Sequence, residues 1–134
     1  MKLITAYVRT RKVDDVVRAL ERAGAPGITV ARVHGVGYGY EPSLFTLAPR
    51  EVPKTPEVSQ VEVACSDEHV EGLIQALLAA ARTGDPGDGI AFVSPLERVA
   101  RVRTGEQGEA VLRSPHHAGG SSPATAPIDE RSAE

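Results

Sequence analysis

The hydrophobic positions of the first 36 residues change from the period of a strand to that of a helix and back. Residues 3–8 are a compact apolar run, typical of a strand. The next apolar residues are spaced i, i+3, i+4, i+7 and i+10, on one face of a helix; they are Val13, Val16, Val17, Leu20 and Ala23. Gly24 and Pro26 end this helix, and the β-branched side chains of residues 28–36 predict a second strand.

A second β-α-β pattern begins at residue 58. Residues 58–65 alternate as a strand does. Ser66 is the predicted N-cap of the following helix. Its apolar face is formed by Val70, Leu73, Ile74, Leu77, Leu78 and Ala81, and Gly84 fits the left-handed position at its end.

Residues 90–93 predict another strand, and residues 99–103 (VARVR) a further short one. The order β-α-β, loop, β-α-β predicts the α+β class. Its arrangement is ferredoxin-like βαββαβ, with one antiparallel sheet and two helices.

Two segments fall outside this pattern. Prolines and glycines interrupt residues 38–57, and a connection of that length is usually functional or disordered. After about Leu112 the chain consists largely of Pro, Ser, Gly and Ala, which cannot offset their ordering entropy by burial. We therefore expect one domain over residues 1–112, with a flexible loop at 38–57, and a disordered tail over residues 113–134.

Composition narrows the class of protein. The 134 residues are 41% hydrophobic but only 4% aromatic, which leaves a small aliphatic core that oligomerisation commonly supplements. A net charge of -3 argues against a protein that coats nucleic acid. The single cysteine, Cys65, excludes an intrachain disulfide and favours a cytoplasmic location. No apolar run reaches membrane-spanning length, so direct membrane insertion is not expected.

Residues 83–89 (TGDPGDG) carry the strongest local chemical signal. Glycines let backbone N–H groups approach an anion closely, as in phosphate-binding nests. The alternative is a plain helix-to-strand turn with Asp85 and Asp88 as turn formers.

Two further signals accompany this loop. Arg101 and Arg103 would share one face of the predicted strand and suit a polyphosphate or carboxylate ligand; the alternative is a solvated strand edge. Gly35 and Gly37 would let a ligand or another backbone approach, or are bulge residues. The four histidines and one cysteine show no zinc-site spacing, so no metal site is expected.

Three segments, in order and at matching distances, resemble the PII nitrogen-regulatory family. Residues 83–106 (TGDPGDGIAFVSPLERVARVRTGE) resemble its C-terminal signature, a TGxxGDG loop followed by a strand and an RxRTGE ending. Residues 12–20 (KVDDVVRAL) are similar to its first helix, and residues 27–37 (GITVARVHGVG) to its second strand. The resemblance covers Met1 to about Leu112 without a gap.

The resemblance implies a homotrimer of ferredoxin-like subunits that holds ATP or ADP in the clefts between them. Segment 38–57 would be the partner-contacting T-loop. The implied nucleotide contacts are Thr29 and the backbone near Ala64 at the adenine, Gly35 and Gly37 beside the nucleotide, Gly87, Asp88 and Gly89 as the phosphate loop, and Arg101 and Arg103 on phosphates. Arg103 would approach from the neighbouring subunit.

The chain departs from the family pattern at positions that bind 2-oxoglutarate or carry a modification. The family's Arg-Gln pair is replaced by Tyr38 and Gly39, and its loop-end lysine by Val58. Ile90 replaces the basic residue that follows GDG in the family, another phosphate contact, and Glu51 stands at the position of the uridylylated tyrosine. The resemblance thus implies a nucleotide cradle kept in part, with no modification site, while Mg²⁺ binding stays open.

The sequence therefore predicts a PII-type regulatory protein and not an enzyme. It would bind ATP or ADP and dock its long loop on a partner enzyme or transporter, in the regulation of nitrogen metabolism. One alternative is a divergent PII-like protein that senses bicarbonate or another nucleotide, or is linked to a carbon or metal transporter. The others are a structural trimer with a vestigial cleft and a small nucleotide hydrolase, which would need a positioned base and metal carboxylates.

Overall fold

The fold contains the two β-α-β units that the sequence predicts. The computed structural model describes residues 1–36, 41 and 57–113. Its elements are β1 (Lys2–Val8), α1 (Val13–Arg22), β2 (Thr29–His34), β3 (Glu57–Cys65), α2 (Val70–Ala81) and β4 (Gly89–Pro95). The predicted α+β class and ferredoxin-like arrangement are confirmed.

The four strands form one antiparallel sheet in the order β2-β3-β1-β4. Val8 lies opposite Ser59 of β3 and Gly89 of β4, and this row marks one end of the sheet. At the other end, Lys2 lies opposite Cys65 and Pro95. This register decides which loops meet at each end.

The core lies between one face of the sheet and the two helices. Inward-facing residues of β1 and β3 pack there with one stripe of each helix; the fully enclosed members are Ile4, Ala6, Val16, Leu20, Val61, Cys65 and Leu73, each with 0% exposure. Burial raises the pKa of the Cys65 thiol. Residues of the opposite face, such as Leu3, Thr5 and Tyr7, are only partly buried.

Helix α1 ends as the sequence predicts. Gly24 takes a φ of 91°, which L-amino acids adopt only with strain. Its N–H donates to the Glu21 carbonyl at 3.0 Å. The Ala25 N–H donates to the Leu20 carbonyl, also at 3.0 Å. These two bonds satisfy carbonyls that the helix leaves open.

The predicted C-terminal end of α2 is wrong, whereas Ser66 does stand at the N-terminus of the helical segment. A 3-10 turn, Asp67–His69, follows Ser66 and leads into α2, and the Ser66 hydroxyl hydrogen-bonds to His69 Nδ1 at 2.8 Å instead of capping the backbone. At the other end the helix closes on Arg82, whose backbone is extended. Gly84 does have a positive φ of 95°, but it belongs to the loop beyond.

The strand predicted at residues 99–103 is also wrong. The segment makes a single bridge, between Ala100 and Gln107. The Arg101 N–H donates to the Glu106 carbonyl and the Gly105 N–H to the Arg101 carbonyl, each at 2.8 Å. The chain therefore closes a tight turn on itself, with Gly105 at a φ of 76°, instead of joining the sheet.

The predicted loop and tail lie largely outside the described residues. Strand β3 begins at Glu57, so the predicted loop 38–57 includes its first residue. A short 3-10 helix, Glu109–Leu112, ends the described part of the chain close to the predicted domain boundary. Residues 114–134, like 38–40 and 42–56, are not described.

Candidate functional site

Two glycines of the loop 83–89, Gly87 and Gly89, have left-handed backbone conformations that favour glycine. Their φ values are 100° and 128°. A Cβ on Gly89 would also lie 2.1 Å from the Tyr7 carbonyl oxygen, because β4 starts directly against β1 there. A Cβ on Gly87 would lie 3.0 Å from Nη2 of Arg9, the end of a long side chain. Gly89 therefore needs glycine for both its conformation and its surroundings, and Gly87 for its conformation.

Asp88 holds the loop closed with its side chain. Oδ2 accepts from the N–H groups of Thr83 and Gly84, each at 2.7 Å, and Oδ1 accepts from the Thr83 hydroxyl. Arg9 Nε lies 3.5 Å from Oδ1. The Thr83 hydroxyl, the backbone N–H groups and Arg9 together hold the pKa of Asp88 well below its usual range.

Arg9, at the end of β1, supports the loop from below. Its Nη2 donates to the Pro86 carbonyl at 2.7 Å. Together with the contact to Asp88, this fixes a guanidinium against Gly87. The loop therefore has a fixed guanidinium at its base, paired with the Asp88 carboxylate.

The loop already holds an anion of the chain itself. The N–H groups of Gly87 and Asp88 both donate to Oε2 of Glu41, at 2.6 and 3.1 Å. Two consecutive backbone N–H groups converging on one oxygen are the geometry of an anion-binding nest. This contact distinguishes the loop from a plain turn.

The two predicted adenine contacts lie together on the open face of the sheet. Thr29 and Ala64 line one shallow depression, with Leu3, Pro26, Gly27, Glu62, Val111 and Leu112. Thr29 lies opposite Glu62 across β2 and β3, and Ala64 opposite Leu3 across β3 and β1. Of the two other predicted contacts, Gly35 is buried just beyond β2, and Gly37 lies outside the described residues.

The two predicted arginines leave the sheet at the end opposite the glycine loop. Strand β4 runs from Gly89 to Pro95, which at about 3.3 Å per residue spans roughly 20 Å. The Leu96 N–H then donates to the Met1 carbonyl at 2.9 Å. Beyond it, Arg101 forms an ion pair with Glu106, and Arg103 is exposed.

The predicted site is therefore split within this chain. Gly87, Asp88 and Gly89 lie at one end of the sheet, whereas the segment that bears Arg101 and Arg103 starts from the other end. Along β1, Ala64 is about five residues from the Gly89 row, or roughly 17 Å, and Thr29 is about three residues from it, or roughly 10 Å.

Three contacts of the loop are not predicted by the sequence. Arg9 and Glu41 are far from the loop in sequence, and only the register of β1 with β4 brings Arg9 to it. The motif contains Thr83, and a hydroxyl residue five positions before the aspartate is the one local signal of its pairing with Asp88.

Two of the departures from the family pattern lie in the described part of the chain. Val58 is buried in β3 with 1% exposure, and Ile90 pairs with Tyr7 in the sheet. Neither side chain offers a charge to an anionic ligand. Tyr38, Gly39 and Glu51 fall outside the described residues.

Within the described ranges, no group of three or more His, Cys, Asp and Glu side chains is placed to hold a metal ion. Over the same ranges, no helix has both the length and the apolar character to cross a bilayer.

Comparison with known proteins identifies the family. The model of the family "Nitrogen regulatory protein P-II" matches residues 1–106. The chain is 40% identical over 111 residues to a nitrogen regulatory protein P-II from Cereibacter sphaeroides, covering 81% of this chain and 97% of the relative. It is 44% identical over 110 residues to one from Mesorhizobium japonicum, covering 81% of this chain and 96% of the relative. It is 40% identical over 114 residues to nitrogen regulatory protein GlnK of Escherichia coli K12, covering 84% of this chain and 100% of the relative.

The chain thus belongs to the PII family of nitrogen regulatory proteins. The predicted resemblance is confirmed, and so is the prediction of a regulatory protein instead of an enzyme.

Proposed function

We propose that this protein is a PII-type regulator that binds ATP or ADP in clefts between the subunits of a homotrimer. It signals by docking the loop 38–57 on a partner enzyme or transporter in the cytoplasm, in the regulation of nitrogen metabolism. The proposal goes beyond family membership in naming the ligand, the assembly and the docking element.

The observation that carries nucleotide binding is the anion held by the glycine loop. The N–H groups of Gly87 and Asp88 both donate to a carboxylate oxygen, and phosphate oxygens accept from such a pair in the same way. The Arg9 guanidinium, paired with Asp88, lies beside Gly87. A polyphosphate ligand fits this chemistry better than a neutral one.

The split of the site within one subunit supports binding between subunits. A mononucleotide needs its base and its phosphates held together. One chain instead sends the segment with Arg101 and Arg103 away from the glycine loop, by roughly 20 Å along β4. A neighbouring subunit can bring these arginines to the loop. The open sheet face and the 99% exposure of Val102 fit surfaces that an assembly covers.

The docking role of the loop 38–57 rests on its sequence. Four prolines limit regular structure there, and Tyr38, Tyr40, Leu44, Phe45 and Leu47 supply apolar anchors for a partner.

Calorimetry with ATP and with ADP, together with light scattering, tests the proposal. We expect both nucleotides to bind without turnover, and a trimer at micromolar concentration. A stable monomer, or absence of binding by either nucleotide, would contradict it. Phosphate release from ATP would instead favour a hydrolase.

A deletion tests the docking element separately. Removing residues 42–55 retains Glu41 and Glu57. It should leave the trimer and nucleotide binding intact while abolishing association with an enzyme or transporter that the full chain captures from a cell lysate. Removing residues 114–134 is the matched control and should change none of these. Unchanged capture by the loop deletion would show that another surface is the output element.

A further inference from the structure

The side chain of Glu41 occupies two N–H groups of the glycine loop that could bind an anionic ligand. Oε2 of Glu41 lies 2.6 Å from the Gly87 nitrogen and 3.1 Å from the Asp88 nitrogen, 46 and 47 residues away in the chain. The carboxylate is partly buried there. It occupies the position where a phosphate oxygen would bind.

We propose that the Glu41 carboxylate is a built-in competitor of the ligand's phosphate for the N–H groups of Gly87 and Asp88. The inference rests on the proposed nucleotide binding and adds a residue that sets its affinity. A phosphate enters the loop only by displacing Glu41, so nucleotide binding and the Glu41 contact exclude each other.

Two polar side chains of the loop itself are engaged elsewhere. Asp88 accepts from Thr83, Gly84 and Arg9. The Thr83 hydroxyl accepts from the Asp85 N–H at 3.1 Å. Neither takes the place that Glu41 holds, so displacement of Glu41 leaves the two N–H groups open to an incoming phosphate.

Competition of this kind has a definite thermodynamic form. The apparent dissociation constant of the nucleotide equals the intrinsic constant divided by the fraction of molecules in which the loop is free of Glu41. Because the two occupants exclude each other, the Glu41 contact is absent from the nucleotide-bound molecule. Nucleotide binding therefore releases Glu41, which belongs to the segment 38–57.

Substitution of Glu41 tests the competition. Calorimetric titration with ATP should give roughly tenfold tighter binding to Glu41→Ala than to the unaltered protein, the factor expected when one charge-assisted hydrogen bond no longer competes. Glu57→Ala removes the same charge from an exposed position at the start of β3 and should leave the affinity unchanged.

Glu41→Asp separates occupancy from simple charge repulsion. The aspartate keeps the charge but is one methylene too short to reach both N–H groups from the same backbone position. Competition by occupancy therefore predicts tighter ATP binding to Glu41→Asp as well, whereas repulsion predicts the affinity of the unaltered protein. The second result would overturn the inference, as would equal or weaker binding by Glu41→Ala.

A measurement without nucleotide distinguishes failure of this inference from failure of the proposed function. The amide proton signals of Gly87 and Asp88 should shift upfield in ligand-free Glu41→Ala, and that of Gly84 should stay, because Gly84 donates to Asp88. Unchanged Gly87 and Asp88 signals would overturn the occupancy. If the signals shift but no variant binds ATP, the proposed nucleotide binding fails, and the competition fails with it.

Discussion

Asp88 and Thr83 close the glycine loop through paired bonds: the Thr83 N–H donates to Oδ2 of Asp88 at 2.7 Å, and the Thr83 hydroxyl donates to Oδ1. The carboxylate of Asp88 thereby shapes the loop from within. Its own N–H, with that of Gly87, is then available to an external anion, which in this structure is the side chain of Glu41. The side chain of Asp88 thus shapes the loop, while its backbone N–H binds the anion.

The pKa of Asp88 should lie below its usual value of about 3.9, since the Thr83 hydroxyl and neighbouring N–H groups favour the ionised form. The stabilisation that this carboxylate gives is then fully present above the unfolded pKa and is lost as pH falls through the lower folded pKa. A carboxyl-carbon NMR titration measures it. Thr83→Val should move the pKa upward, while Thr104→Val, in the turn after Arg103, should not. An Asp88 midpoint at or above 3.9 would contradict this assignment.

Gly89→Ala should lower the free energy of unfolding by roughly 2–4 kcal/mol, because the new Cβ would collide with the Tyr7 carbonyl at a φ that disfavours alanine. Gly72→Ala is the matched control, since no atom lies within 4 Å of its Cβ position. At this exposed position of helix α2 the substitution should be neutral or stabilise by up to about 1 kcal/mol. Urea unfolding of both variants checks this, and equal stabilities would argue against the close approach of β1 and β4.

Arg101→Ala and Arg103→Ala should each weaken ATP and ADP binding by tenfold or more, which is the loss of about 1.5–3 kcal/mol expected for one charge-assisted contact. Arg18→Ala is the matched control, because this exposed arginine on α1 is engaged with Asp15. Isothermal titration calorimetry provides the affinities. Equal affinity in all three variants would remove the two arginines from the site.

The metabolite 2-oxoglutarate should not bind with micromolar affinity, even with Mg-ATP present. Val58 stands where the family pattern has a lysine, and it is buried with 1% exposure and carries no charge. Titration of the nucleotide-loaded protein checks this, with ATP binding in the same sample as the positive control. Micromolar affinity would mean that this family member builds its metabolite site from other residues.

The sequence alone determined most of the local structure and the family. Periods of 3.6 and 2 in the hydrophobic positions predict helices α1 and α2 and the four strands. They do so because the face of a helix or strand on which a residue lies depends only on its spacing from nearby residues. Gly24 ends α1 for a similarly local reason, its left-handed backbone. The motif at residues 83–89 likewise carries its glycines in the chain itself.

Local sequence patterns predict the wrong structure where a residue bonds to a distant partner, or where one segment could form either of two short elements. Residues 99–103 have the alternation of a strand, yet the bonds between Arg101 and Glu106 favour a turn. Ser66 has the residue type of an N-cap, yet its hydroxyl bonds to His69. In each case a side-chain or backbone bond outweighed a weak propensity.

Only the tertiary structure decided how the glycine loop is held and filled. The pairing of Val8 with Gly89 brings Arg9 to Gly87, and Glu41 lies on the N–H groups of Gly87 and Asp88. Spacing in the sequence does not encode contacts between residues 46 or more positions apart. The contact of Arg9 depends on the register of β1 with β4, which is selected because burial of one face of the sheet allows no slip by one residue.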